Sequence, residues 1–232
     1  MNKTFKSAAA TLMLVGALGV SSQAQALPFT VDYWDDSQSV ADTDPAVAPT
    51  SVGPTAITAT DLTNVTREII ATSQTTSGTS NEQVKVNDFG SSLLEISNSV
   101  FSNGLVQINY AFNSADLTAL GSALSLYVSA IDTGVSVEAV VNGTASSGFQ
   151  SFTSGGGYDF YELFSSFTNA SELTHATTLT LNFKGVAGWD AAFDDLSILN
   201  PPPPSNAPEP AALALIGLGF AGFAVARKKK QA

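Results

Sequence analysis

The side chains of this sequence that could do chemistry are carboxylates and aromatic rings. Asp159 with Glu162, and Asp194 with Asp195, are acid pairs of the kind glycoside hydrolysis uses; that reaction needs an acid and a base or nucleophile across a sugar. Simple exposure to solvent explains both pairs equally well, because chain spacing does not give the separation of the carboxyl groups. The one histidine, His175, sits in the polar stretch SELTHATT with no Ser-His-Asp signature around it. No Gly-x-Ser-x-Gly elbow occurs, and the absence of cysteine excludes thiol catalysis and Cys-type zinc sites. No residue is assigned a catalytic role. The reading is non-enzymatic, with a secreted polysaccharide hydrolase as the alternative.

Aromatic rings offer binding instead. Tyr158, Phe160, Tyr161, Phe164 and Phe167 crowd the segment GGGYDFYELFSSF. An exposed Tyr or Trp face can stack on a sugar ring. The four- and three-residue spacing of Phe160, Phe164 and Phe167 fits a buried helical face or core packing. That leaves Tyr158 and Tyr161 as the stacking candidates. Trp34 and Trp189 join them because each has acids close by, which suits the rim of a site, although Trp is usually largely buried.

The elements that must position these groups read as β-strands. Leu105, Val106, Ile108, Tyr110 and Phe112 largely alternate with polar residues, the pattern of a half-buried strand. Ala123–Ile131 and Val135–Val141 repeat it, with Asp132-Thr133-Gly134 between them as a turn signal. Thr178–Phe183 and Ala192–Leu199 supply two more strands. Connectors rich in Ser, Thr, Asn and Gly separate them. A short helix is expected near Asn169–His175, capped by Asn169 or Ser171, and Asp42–Ala59 reads as an extended loop or edge strand. Short strands and frequent turn residues predict an all-β fold, a β-sandwich.

The last strand, with Gly188-Trp189-Asp190 before Phe193-Asp194-Asp195-Leu196-Ser197-Ile198, resembles the closing strand of jelly-roll domains similar to carbohydrate-binding modules. In such sandwiches the first and last strands often lie side by side, sometimes with a structural calcium near them. The resemblance therefore implies a jelly-roll-like ectodomain. It also implies a calcium site built from Asp32, Asp35, Asp36, Asp194 and Asp195, since carboxylates from both ends can converge on a hard cation. A solvated acidic edge that discourages strand addition is the competing explanation.

The two ends of the chain carry address information. Lys3 and Lys6 precede an apolar stretch, Ala8–Val20, and Ala24-Gln25-Ala26 is a small-x-small site for signal peptidase. Residues 1–26 are thus expected to be a signal peptide, with the mature chain starting at Leu27. The domain 27–200 follows, then a Pro-rich linker, 201–207. Pro208-Glu209-Pro210 precedes the uncharged stretch Ala211–Ala226, and Arg227, Lys228, Lys229 and Lys230 come after it. That stretch is somewhat shorter than the ~20 residues of a usual span. Its glycines suit a membrane helix, and the basic cluster holds the C-terminus on the cytoplasmic side.

This tail, 208–232, resembles the PEP-CTERM sorting signal of Gram-negative bacteria. The resemblance covers only about residues 206–232, and Ala207 stands where many members have Val. It implies an inner-membrane-tethered intermediate, processing by an exosortase-type protease near Pro208-Glu209-Pro210, and transfer to the cell surface or exopolysaccharide matrix. A permanently anchored periplasmic protein is the alternative. In a bacterium the Asn-x-Ser/Thr matches at Asn64, Asn142 and Asn169 are coincidental. Of nine basic residues only Arg67, Lys85 and Lys184 fall between the two ends, whereas all of the twenty acids except Glu209 do. So acidic a domain is not a nucleic-acid binder.

Overall fold

Alternating burial is the rule along this chain, and it builds two sheets that hide their apolar faces against each other. The computed structural model describes residues 27–43, 48–74, 81–152 and 154–202. Among them are fourteen strands. The first seven are β1 (Phe29–Asp32), β2 (Gln38–Asp42), β3 (Thr50–Ala56), β4 (Thr66–Thr72), β5 (Glu82–Val86), β6 (Leu94–Asn98) and β7 (Leu105–Ala115). The others are β8 (Ala123–Ile131), β9 (Val135–Val141), β10 (Ala145–Ser146), β11 (Gln150–Ser151), β12 (Tyr158–Leu163), β13 (Ala176–Gly185) and β14 (Asp190–Leu199).

One sheet runs β12-β8-β14-β6-β5-β2, with β1 also on β14; the other runs β10-β9-β13-β7-β4-β3, with β11 also on β9. All the pairings are antiparallel. The result is an all-β, sandwich-like arrangement. Strict alternation such as Val135, Val137, Ala139 and Val141 in β9 points one face inward. Between the sheets, Phe193 of β14 packs on Phe183 of β13 and on Phe152, with ring centroids 5.1 and 5.3 Å apart.

Several expectations meet their elements closely. β8 and β9 begin and end where the alternation does, and β1 lies beside β14. β3 is an edge strand with most of its residues exposed, and Pro54 sits on it, where a missing N–H costs no ladder bond. The turn Asp132–Gly134 does more than reverse the chain: it carries it from one sheet to the other. Near Asn169–His175 the helix is a 3-10 turn over Ala170–His175 with no side-chain cap; Asn169 is instead left-handed, at φ 50°. A side-chain cap does occur elsewhere, where Asp116 accepts from Thr118 N and Ala119 N at the start of α1 (Leu117–Leu120). Phe160, Phe164 and Phe167 pack into the core, from a strand and a 3-10 turn rather than one helix.

Candidate functional site

The acidic run at the start of the chain is consumed by structure. In β4, Thr66-Arg67-Glu68-Ile69 alternates so that Arg67 faces inward with Ile69, and Tyr110 of β7 is its direct cross-strand partner. Asp32 meets both from the opposite sheet. Its Oδ2 accepts from Arg67 Nη1 at 2.5 Å and from the Tyr110 hydroxyl at 2.9 Å, while Oδ1 accepts from Trp34 N at 2.8 Å. Arg67 also donates Nε to Gln38 Oε1 at 2.5 Å and Nη2 to the carbonyl of Asp36, and its guanidinium lies 5.6 Å from the Trp34 ring centroid. Burial pushes the Asp32 carboxyl up, against the pull of Arg67, Trp34 and Tyr110. Three donors, from Arg67, Tyr110 and the Trp34 backbone, converge on its two oxygens, so the ionised carboxylate is the form the cluster needs. Tyr110 is pushed well above its ordinary value, chiefly by burial, and remains a neutral donor.

The other acids expected at the cation site face elsewhere. Asp35 accepts from Ser92 Oγ. Asp36 works against a desolvation cost, yet the backbone N–H groups of Ala59 and Thr58 hold its carboxyl below the ordinary range. Asp194 and Asp195 occupy a bulge in β14, between Phe193 opposite Val128 and Leu196 opposite Leu126. On its other edge β14 changes partner there, from β6 to β1. The Asp194 carbonyl falls at that junction and accepts the Trp34 indole N–H. Asp32, fully buried and paired with Arg67, therefore has no oxygen to share with Asp194 or Asp195. Among the described residues no group of three or more acidic or histidine side chains is placed to hold a metal ion. The five aspartates do not converge.

The tryptophans are corrected as well. Trp34 and Trp189 each have 0% of their surface exposed. Trp189 spends its indole N–H on the Gly104 carbonyl at 3.3 Å. Neither presents a face to a sugar; both hold loops against the sandwich. Tyr158 pairs with Val128 and is half-buried, packed against the core. Tyr161, two residues on, points the same way as Asp159, whose cross-strand partner is Tyr127. Desolvation, then the Asp159 carboxylate, raises the Tyr161 hydroxyl above its ordinary value. Glu162 lies on the opposite, inward face of β12 with 4% exposed, so Asp159 and Glu162 cannot flank one sugar. His175 is an exposed residue, 3.4 Å from Glu172.

What remains is the outer face of the sheet containing β8, β14, β6 and β5. Tyr127 and Tyr161 stand there beside Asp159, and burial, then Asp194, raises the Asp195 carboxyl on the next strand. Further along the same sheet an open trough of about 440 Å³ has Ala130, Ala191 and Ala192 in its lining, with Gln83, Lys85, Glu95, Asp132 and Asp190 around them. Small side chains lie along its floor and polar ones around it. Sequence reasoning missed Tyr127. Its signal was present: within ALSLYVSAI it falls out of phase with the buried Leu124, Leu126 and Val128.

The sorting tail and the signal segment lie outside the described residues, and among the described residues no helix is long and apolar enough to cross a membrane. The family model described as PEP-CTERM protein-sorting motif matches residues 206–229. No curated protein matches the sequence. The match takes in Pro208, Glu209 and Pro210, the apolar stretch and most of the basic cluster. It stops short of the sandwich.

Proposed function

We propose that this chain, which carries a PEP-CTERM motif at residues 206–229, is an exported protein that passes through a membrane-anchored intermediate and is processed by an exosortase-type system. Signal peptidase cuts after Ala26, and residues 211–226 hold the intermediate in the inner membrane, with Arg227–Lys230 inside. The exosortase-type protease then cuts near Pro208-Glu209-Pro210, and the sandwich passes to the cell surface or the exopolysaccharide matrix as a non-enzymatic, glycan-binding protein. The motif at 206–229 carries this reading. The outer-face trough, with Tyr127 and Tyr161 on the same sheet, supports the glycan assignment, and the pairing of β1 with β14 supports a jelly-roll-like topology. The outer face is polar and acidic, which favours a neutral glycan over an acidic one.

Intact mass spectrometry of the protein from the surface fraction of its host tests the processing. Wild type is expected to lack residues 211–226, and Glu209→Ala to retain them. A retained tail in wild type means a permanently anchored periplasmic protein instead. Retardation of the purified protein in gels containing the host exopolysaccharide tests the glycan, and cleavage of any polysaccharide in a broad panel by wild type would establish the hydrolase.

A further inference from the structure

Strands β2, β5 and β6 lie side by side, and their inward positions form three cross-strand rows. The first is Gln38, Val86 and Leu94; the second is Val40, Val84 and Ile96; the third is Asp42, Glu82 and Asn98. All nine are buried. Directly opposite residues hold their Cβ atoms about 4.5–5.5 Å apart, so the third row sets two carboxylates and an amide side by side in the interior.

Two members of the row, Glu82 and Asn98, keep oxygens without a hydrogen-bond partner. Glu82 has 0% of its surface exposed, and neither of its carboxylate oxygens has a hydrogen-bond partner; Asn98 Oδ1 has none either. Asn98 gives its Nδ2 to the Trp189 carbonyl at 2.9 Å, and Asp42 Oδ2 accepts from Ser73 N at 2.7 Å. Across the interior lies Gly104. A Cβ there would come 1.1 Å from Glu82 Oε2 and 2.9 Å from the Thr72 carbonyl oxygen. The Glu82 carboxylate fills the space that a side chain at Gly104 would take, which carries Oε2 across to the Thr72 carbonyl. Among the described residues the Lys and Arg side chains are engaged elsewhere: Arg67 is bound to Asp32, Lys85 to Asp88, and Lys184 lies over Phe149. Opposed like charges are unfavourable on a sheet, and an unpaired buried carboxylate more so.

We propose that this row is a calcium site, with the carboxylates of Glu82 and Asp42, Asn98 Oδ1 and the Thr72 carbonyl as its protein ligands. Calcium takes six to eight oxygens and accepts amide and backbone carbonyls beside carboxylates, whereas magnesium keeps several waters that so enclosed a row would exclude. Thr72 ends β4 of one sheet while Asp42, Glu82 and Asn98 belong to the other. The ion would therefore clamp the two sheets together. This set differs from the aspartates of the first and last strands, which do not converge.

Terbium, a luminescent stand-in for calcium, tests the site in the full-length protein in detergent after chelator treatment. Trp189 donates to the Gly104 carbonyl and so lies beside the site to sensitise emission. Saturable emission displaced by calcium is expected, with a calcium dissociation constant of about 10⁻³ M or tighter. Glu82→Gln keeps the side-chain volume and should weaken binding at least tenfold. Calcium should raise the melting temperature of wild type and leave that of Glu82→Gln unmoved. Wild type that melts identically in calcium and chelator overturns the proposal, as does Glu82→Gln that binds like wild type. If Glu82→Gln does not fold, the wild-type comparison alone decides.

Discussion

The two polar ends of β2 solve one problem in opposite ways. At one end Gln38 joins Asp32, Arg67, Tyr110 and Trp34, where both carboxylate oxygens and the guanidinium are partnered inside the protein. At the other end Asp42 stands against Glu82, which is as deeply buried and has no partner. Between them Val40 is ordinary core. Burial alone therefore does not decide what a buried acid does; the supply of donors does. The Asp32 end is closed by side chains of the protein, whereas the Glu82 end is the one proposed to take an ion from outside.

Removing a cation tests the closed end hardest. Arg67→Met strands the Asp32 carboxylate and should destabilise the domain by about 3–5 kcal/mol, measured by urea unfolding. Asp32→Asn should cost a similar amount, and the pair made together much less than the sum, since both act through one contact. Equal additive losses would dissolve the cluster into independent contacts. Neutralising the acid at the other end should have the opposite sign. In chelator, Glu82→Gln removes an unsatisfied buried carboxyl and should leave stability unchanged or raise it by about 1–3 kcal/mol. A loss as large as that of Asp32→Asn would make the two ends alike after all.

A third buried acid sharpens the comparison through pH. Glu162 faces inward on β12; Gln150 donates to its Oε2, and Oε1 has no partner. Burial pushes its carboxyl up to about 7 from an ordinary 4.5, with Ser147 opposing and Glu138 adding to the rise. Because the folded form holds its proton more tightly than the unfolded chain, its stabilising contribution is complete below about pH 4.5. It is lost as pH rises through about 7. The slope in that window should be at most about 1.4 kcal/mol per pH unit, and Glu162→Gln should flatten it. Melting temperatures of the two proteins from pH 4 to 8 give the answer, and an unchanged slope removes Glu162 as its source.

Sequence alternation reveals strands well where both neighbours of a strand are ordinary core. β8 and β9 could be read to the residue from the phase of their Leu, Val and Ile side chains. It fails where a charge sits in the inward phase. In Glu82-Gln83-Val84-Lys85-Val86 the alternation puts Glu82 on the face of the valines, but nothing local tells that the strand carries its acid into the interior until Glu82 is matched to Asp42 and Asn98. Asp32 looks like one of a surface run of acids because its partner, Arg67, is 35 residues away in the other sheet. Trp34 and Trp189 look like rim residues for the same reason: what buries them, the Asp194 and Gly104 carbonyls, is remote in sequence. The sorting tail is the reverse case, legible because a processing enzyme and a membrane read it as linear sequence rather than through a fold.

The outer face of the sheet should separate from both buried ends by costing almost nothing to change. Tyr161→Ala and Tyr127→Ala alter half-exposed rings on the solvent side, so each should move stability by less than about 1 kcal/mol. If that face binds glycan, the same substitutions should weaken retention in exopolysaccharide gels about tenfold, the equivalent of ~1.4 kcal/mol. Arg67→Met, assayed below its melting temperature, should leave retention intact, because Arg67 never reaches that face. Retention lost in proportion to stability across all three variants would mean that the gel reports folding rather than a binding surface. Retention lost only with the tyrosines would assign the interior acids to holding the sandwich together and the tyrosine face to binding.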